Sequence, residues 1–547
     1  MKIRTRLSLS AFMIVSLAII SIATVITWTA SAQVIRGLTQ ARSDQMVSLQ
    51  NVTRTAVEQY ANSLENQLLD MAEQELVLLA AEDFAGSFGG YALFAGQQKV
   101  DKHRQAVSDY YQNDFLTRFN ALNKGTSPDT AQWVAQMSDN AVTVQSHFIV
   151  GNPQPEDQRA LMTSAPVSSS YNNYHQRYHP QLHRFQQRFG LDDILILHPD
   201  NGTVVYSVRK QADLGTSLTE GPFSNSALAT LYQDALALAP GESHFSDFDT
   251  YAPTLGTPVG FITTPITNTE GQVAGFLVFR LNADALNRLV TYHYDWHASG
   301  LGNTGTTYLA GPDGTARSNS RLLLEDAATF ARHIHASDLT PDVINTILAM
   351  QTPVGRQLLD TLATQNALAG ESGARTTVNT WGEPVIAAYG PIDFLGHRWG
   401  VVSEIHEDEA LTDVRQLNRS IQRAALITAS FLAALAALAG WALAYSMTRP
   451  IAHTVSTLNA IADGDGDLTQ RLDDTRRDEL GDLARAFNRF VNKIHDIVLN
   501  VQTVPPVPDT VPGHGFQPLN WLPAAALAVS CTVSSGPPKI SEQSPLS

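Results

Sequence analysis

Three groups of residues in this chain have types and spacings that could do chemistry. Gly300–Gly305, GLGNTG, has the G-x-G-x-x-G spacing of a loop that admits a pyrophosphate to a helix N-terminus, provided a strand precedes it and a helix follows. His175, His179 and His183 stand four apart in YHQRYHPQLHRF, a spacing that could turn three imidazoles toward a zinc ion from one helical face. Pro180 is expected to interrupt that face, and no carboxylate or cysteine completes a ligand set. The expected role is an aromatic and histidine packing surface, and no metal site is assigned. In the third group, Tyr206 and Arg209 close one apolar run, while Asp247, Tyr251 and Phe261 precede or occupy the third strand of the same unit. An arginine there suits a carboxylate ligand through a bidentate pair; the alternative is that Arg209 and Lys210 are solvated strand-end charges. No Ser-His-Asp or paired-carboxylate arrangement stands out, so no catalytic residue, cofactor or enzymatic activity is assigned.

The elements that must position these residues follow from the rest of the chain. Its 547 residues are too many for one domain, and three or four units are expected. Acidic residues outnumber basic ones, 52 to 36, which disfavours nucleic acid as a partner. The single cysteine, Cys531, rules out an internal disulfide or a CxxC site. Leu7–Ile35 and Ala424–Met447 carry no charge, and each exceeds the roughly 20 residues that cross a bilayer. The first run is far longer than the roughly 7–15 apolar residues of a signal peptide, so a retained anchor is expected. Lys2, Arg4 and Arg6 place residues 1–6 in the cytoplasm, which puts Arg36–Arg423 outside and everything after Met447 inside.

Outside, residues 36–190 are mostly helical in pattern, with apolar residues three and four apart. Beyond them come short apolar runs with turn chemistry at Pro199–Gly202 and Asn268–Gly271, the texture of an antiparallel sheet. The texture then repeats: Gly256–Val259 (GTPV) answers to Gly382–Val385 (GEPV), and Ala283–Leu286 to Asp408–Leu411, about 125 positions on. The expected architecture is α+β, with two copies of one sheet-and-helix unit at 191–290 (membrane-distal) and 291–412 (membrane-proximal). In that setting the glycines of GLGNTG lie between a helix and a hairpin, with their strand after them. The nucleotide reading falls, and the loop is expected to lead the chain into the second sheet. YHYDWH (Tyr292–His297) is expected at the junction of the two units.

VVYSVRKQADLGTSL, FSDFDTYAPTLGTPVGFITTPI and GLGNTGTTYLAGPDGTARSNSR, hung between two spans, resemble the double Cache domain of bacterial methyl-accepting chemotaxis receptors, found also in some histidine kinases and cyclases. The tyrosine, arginine, tryptophan and aspartate pattern of the amino-acid-binding members does not stand out. Residues 448–500 resemble a HAMP linker. The motif residues are Pro450 after the second span, Gly466, Leu468 and Leu472 in the connector, and Glu479 and Gly481 in the DELG signature. Leu480, Leu483, Phe487, Phe490, Ile494 and Ile497 step by three and four, an a/d seam that closes a parallel four-helix bundle in a homodimer. The resemblance implies a multi-pass receptor of the bacterial inner membrane that binds a small carboxylate or amine metabolite, in the distal unit. Its output through a chemotaxis kinase complex would require a signalling domain. Residues 501–547 are Pro-rich and continue no heptad, so a frameshift, a truncated gene or a disordered tail is expected there. The alternatives kept are the sensor half of a histidine kinase or cyclase, and a membrane-anchored solute-binding protein without output.

Overall fold

The computed structural model describes residues 3–94, 97–463, 468–475, 477 and 479–501. The Pro-rich tail and Gly466 lie outside the described residues. The chain divides into two compact units, one of Leu17–Ala433 and one drawn from Met1–Ser16 and the chain from Ala434 onward.

The first helix, Ile3–Ala72, enters the larger unit at Leu17; it carries the first apolar run and then continues with a polar, amphipathic pattern. Its far part turns Val57, Ala61, Leu64 and Leu68 into the core, the three- and four-residue spacing of a helix with one buried face. The second apolar run lies in another continuous helix, Thr412–Asp463, which holds Pro450 within its length. Both helices are long and apolar enough to cross a membrane, and none of the apolar window of either is buried.

Between them stand two antiparallel sheets. The first orders its strands β2-β1-β5-β4-β3, from β1 (Asp193–Leu197), β2 (Val204–Ser207), β3 (His244–Thr250), β4 (Pro258–Thr267) and β5 (Val273–Leu281). The second orders them β6-β9-β8-β7, from β6 (Thr306–Ala310), β7 (Gly373–Val378), β8 (Pro384–Phe394) and β9 (His397–His406). The orders superpose as β1/β6, β5/β9, β4/β8 and β3/β7, so the sequence repeat is a repeat of topology. Two details differ from expectation. Strand β3 begins well before the GTPV motif, so Asp247 lies in the third strand, Tyr251 just after it and Phe261 in the fourth. The second hairpin also forms no full returning strand: after the Asp313-Gly314 turn the chain meets β6 only through a single bridge, Ala310 to Ala316, with the Gly311–Thr315 and Arg317–Leu309 bonds, and it pairs on its other side with Gly355–Leu359.

One face of each sheet packs on the N-terminal helices, and the other is covered by the chain inserted before β3 or β7. In the first sheet Ile194, Ile196, Ile262 and Phe279 face helices that include Glu75–Phe88, while Leu195, Phe261 and Val278 face helix Ala227–Ala235. In the second, Ile386 and Ile405 face Met46 of the first long helix, and Tyr308, Ala387 and Val402 face helix Leu362–Leu368. Alternation of side chains along the strands produces this division.

The smaller unit pairs the end of Thr412–Asp463 with helix Glu479–Val501 through an extended connector. Leu472 of the connector packs on Ala484, Phe487 and Val491. The Asn488 amide holds the Leu472 backbone from both sides, donating to its carbonyl and accepting from its N–H, each at 2.9 Å.

Candidate functional site

The five residues singled out in the distal module do not converge on one cavity. Tyr206 is buried on the face that meets the helices, stacked on Phe84, with its hydroxyl 2.7 Å from His179 Nδ1. Tyr251 and Phe261 lie on the opposite face, edge to face at 5.1 Å, in a line of rings continued by Phe223 and Trp133. Asp247 sits in the seam between the modules, where it takes a bidentate pair from Arg317 (2.9 and 3.0 Å) and the Trp399 indole N–H (3.1 Å). Arg209 is paired with Asp192 at 2.8 Å, so it is not a lone solvated charge. It lines an open cleft of about 470 Å³ shared with Gln211, Asn287 and Gln351.

The residue that organises the distal module is one that the sequence reading passed over. Arg280, near the end of the apolar strand β5, is 0 % exposed and gathers three carboxylates: Asp192 at 2.5 Å, Asp193 at 3.4 Å and Asp213 at 3.6 Å. Tyr251 donates to Asp213 at 3.0 Å. Burial opposes ionisation throughout the group, with different outcomes. Arg280 and Arg209 overcome it and hold Asp192 below the usual range, whereas burial wins at Asp213 and pushes it up to about 6. Arg280 Nη1 and Nη2, Asp213 Oδ1 and Gln211 Oε1 are buried without a hydrogen-bond partner. Buried donors and acceptors left unmet are costly unless something else reaches them. A lone arginine inside an apolar strand, VAGFLVFRL, was the signal that could have found this group.

The histidines keep to their packing role, but Pro180 does not interrupt them. Helix Ser170–Phe189 runs through it, and the three rings stack at 4.5 and 5.6 Å. A proline removes one N–H and crowds one turn, and here the buried aromatic face on the sheet holds the helix across that defect. His175 Nδ1 meets the Thr163 carbonyl and His179 Nε2 the Ala160 carbonyl, each at 2.6 Å, while His175 Nε2 is buried without a hydrogen-bond partner. Burial depresses the pKa of all three. Among the described residues no group of side chains is arranged to hold a metal ion.

GLGNTG does cradle an anion, though one from its own chain. Gly300 and Gly302 have φ of 91° and 62°, and the loop turns directly into β6. The Asn303 and Thr304 N–H groups and the Thr304 hydroxyl all donate to the Glu409 carboxylate, at 2.8, 2.7 and 2.6 Å. A side chain at Gly302 would strike Glu409 Oε1. Burial works against the Glu409 charge, and those donors more than offset it, so its pKa is lowered. The loop therefore ties the entrance of the second sheet to the turn just before helix Thr412–Asp463. Tyr292, His293 and Tyr294 all have positive φ, and the Tyr292 hydroxyl meets Thr53 of the first long helix at 2.8 Å.

In the smaller unit, the connector and its packing match what the second of the two resemblances requires. Pro450 lies in the helix that enters the unit, Leu468 and Leu472 anchor the connector, and Glu479 and Gly481 open the second helix. Residues 442–496 match the HAMP domain family. This part of the chain is a HAMP domain. Over 111 residues the chain is 40% identical to methyl-accepting chemotaxis protein TlpQ of Pseudomonas aeruginosa, which covers 19% of this chain and 16% of that relative. Over 62 residues it is 52% identical to methyl-accepting chemotaxis protein CtpM of the same organism, 11% of each. The chain thus has homologues among methyl-accepting chemotaxis proteins and spans about a sixth or less of the length of these two. A solved structure, the ligand-binding domain of the Pseudomonas fluorescens chemoreceptor CtaA in complex with L-leucine, aligns with 55% of this chain and 99% of its own at 13% identity, with a TM-score of 0.24.

Within the HAMP domain the seam read from the sequence divides. Phe487 is buried within the chain, whereas Leu483, Phe490 and Ile497 are exposed, Phe490 by 60%. The Leu480 side chain lies outside the described residues. Ile451, Val455 and Leu458 of the first HAMP helix are exposed as well.

Proposed function

We propose that this chain is a transmembrane sensor of the chemoreceptor type: its outer unit binds a small molecule and its HAMP domain passes the resulting change inward. The observation that carries the reading is continuity. Strand β9 ends at His406, a short turn of helix follows at Glu407–Ala410, and the helix that begins at Thr412 runs through the second apolar segment into the HAMP domain. A shift of the second sheet has no loop in which to dissipate. Arg36–Arg423 lies outside the bacterial inner membrane and the HAMP domain inside, as the basic N-terminus directs. The working form is a homodimer, in which the exposed apolar residues of both HAMP helices are covered by the same residues of a second copy. The outer part is the tandem Cache arrangement, and its distal ligand contact is Tyr251 and Phe261 with the Asp213–Arg280 pair beside them. A ligand amine would meet Asp213 and a ligand carboxylate Arg280. The output is non-enzymatic and reaches a chemotaxis kinase complex through a signalling domain joined to the HAMP domain.

The test is a hybrid. Residues 1–501, joined to the kinase-control domain of a chemotaxis receptor, are expressed in motile cells lacking their own receptors. Taxis toward or away from some small amine or carboxylate is expected, and Arg280→Met is expected to abolish it with the hybrid still present in the membrane. No response to any member of a metabolite panel would overturn the reading.

A further inference from the structure

The proximal module has a cavity of its own, and a carboxylate with no counter-charge faces it. Glu404, in the apolar run GVVSEIH of β9, is 6 % exposed. It lines a cavity of about 280 Å³ together with Trp381, His333, Glu383, Arg321 and Glu325, and also a smaller adjoining one of about 50 Å³. Its one hydrogen bond from a side chain is a long one, 3.5 Å from the Tyr308 hydroxyl, and among the described residues no salt bridge reaches it. The cavity's single guanidinium is already engaged: Arg321 pairs with Glu325 at 2.8 Å and donates to the Gly302 and Gly305 carbonyls. Three carboxyl groups, Glu325, Glu383 and Glu404, thus share the lining with one arginine.

A second group also points to an occupant. His333 Nδ1 is buried without a hydrogen-bond partner. The Trp381 ring stands beside His333 at 5.3 Å and edge-on to Phe330 at 5.8 Å, which offers an aromatic wall to the cavity. Glu383 is held in place by the Asn379 amide at 2.9 Å and by His406 at 3.2 Å. A buried carboxylate without a cation, an aromatic wall and an unmet ring nitrogen are the parts from which sites for organic cations are built. The volume is close to the lower end of the roughly 300–1,000 Å³ usual for small ligands.

We infer that the proximal module binds a small organic ammonium ion, its charge compensated by Glu404 and Glu383 and its apolar part against Trp381. This site is separate from the distal contact proposed above and does not depend on it. Its position gives it leverage: Glu404 is three residues before the turn Glu407–Ala410 that leads into the second long helix. Ile405, on the other face of the strand, packs with Met46 of the first long helix.

The experiment uses the full chain in nanodiscs and follows thermal stability and tryptophan fluorescence. The probes are methylammonium, tetramethylammonium and phenethylammonium chlorides, with magnesium and calcium chlorides as the inorganic arm and phenylacetate as the anionic control. A saturable rise in Tm with at least one ammonium ion is expected. Glu404→Gln, which keeps the shape of the side chain, should weaken it by about tenfold or more. Trp381→Phe should weaken it less, and Asp213→Asn in the distal module should leave it in place. Trp381→Phe also serves as the deciding variant if Glu404→Gln fails to fold. No shift with any ammonium ion, a shift that Glu404→Gln retains, or a response to the inorganic cations or phenylacetate alone would each overturn the inference. A shift lost in Asp213→Asn and kept in Glu404→Gln would move the site to the distal module.

Discussion

The two outer modules place a charge at the same point of the same fold and treat it in opposite ways. In the first sheet Phe261 of β4 stands opposite Arg280 of β5; in the second, Ala387 of β8 stands opposite Glu404 of β9, and Phe261 and Ala387 are equivalent by the sequence repeat. On their other sides Arg280 faces Asp193 and Glu404 faces Thr306. The distal charge is therefore enclosed by three aspartates, while the proximal one is left beside a cavity. A buried ion is tolerated only when it is paired or can take up its proton. The distal module takes the first course, and Glu404, raised by burial to about 7, takes the second. The same β position thus yields a rigid charge cluster in one copy and a responsive carboxyl in the other.

Removing Arg280 is the severest way to break that contrast. Arg280→Met leaves Asp192, Asp193 and Asp213 facing one another in the interior and should cost about 3–5 kcal/mol. Thermal unfolding of the full chain should show the distal module melting first; an unchanged Tm would mean that the aspartates do not depend on Arg280.

The proximal counterpart is best read through pH. Burial raises the Glu404 carboxyl, and the like charge of Glu383 adds to this. A carboxyl whose folded pKa exceeds its unfolded value holds its proton more tightly when folded. The stabilisation is complete below about pH 4 and is lost as pH rises through the folded value. The proximal module should weaken between about pH 4 and pH 7, by an amount on the order of a few kcal/mol. Glu404→Gln, a mimic of the protonated form, should raise the Tm at pH 8 and leave it nearly unchanged at pH 5. A variant less stable than the parent at pH 8 would show that Glu404 has a counter-charge. In the distal module Asp213 follows the same sign, but Asp192, held low by its arginines, contributes above its unfolded value and is lost on acidification, so the two oppose each other.

A smaller effect sharpens the comparison at the seam. Arg317, 3% exposed, crosses from the second module to Asp247 of the first, and a side chain at Gly311 would collide with its guanidinium. Arg317→Ala should cost about 2–3 kcal/mol and speed proteolysis between the modules, near Tyr292–Gly300. The smallest expected effect is at the exit: Glu409→Ala leaves the Asn303 and Thr304 donors to water at a cost of about 1 kcal/mol. Hydrogen exchange at those two amides should quicken without a change elsewhere.

Much of this architecture was legible because it rests on periodicity and punctuation. The two apolar runs, the 125-residue repeat and the context that stripped GLGNTG of a nucleotide came from spacing, and the HAMP motif residues from their resemblance to that family. What stayed hidden depends on contacts between distant elements. Nothing near Glu409 in the sequence announces that it fills the glycine loop, and Asp247 gives no sign that its partner is 70 positions away. Tyr206 and Tyr251 read alike as aromatic strand-end residues, yet they fall on opposite faces of one sheet. A bulge between Ser246 and Asp249 breaks the register by which faces are counted. Arg280 and Glu404 were visible in principle, the first as the single charge of β5 and the second as the charge within the apolar run GVVSEIH of β9.

The central claim is that occupancy of the outer unit changes how the HAMP helices pack. The direct measurement is the rate of disulfide formation by Ile497→Cys in native membranes, since Ile497 is an exposed apolar position of the second HAMP helix. With a saturating concentration of the ammonium ion that stabilises the full chain, the rate should change by about twofold or more, because a bound state with different affinity for two packings must shift their populations. When Glu404→Gln is also present, about tenfold more of the same ion or higher should be needed to change the rate. An identical rate with and without the ion, under conditions where binding is saturated, would contradict the account.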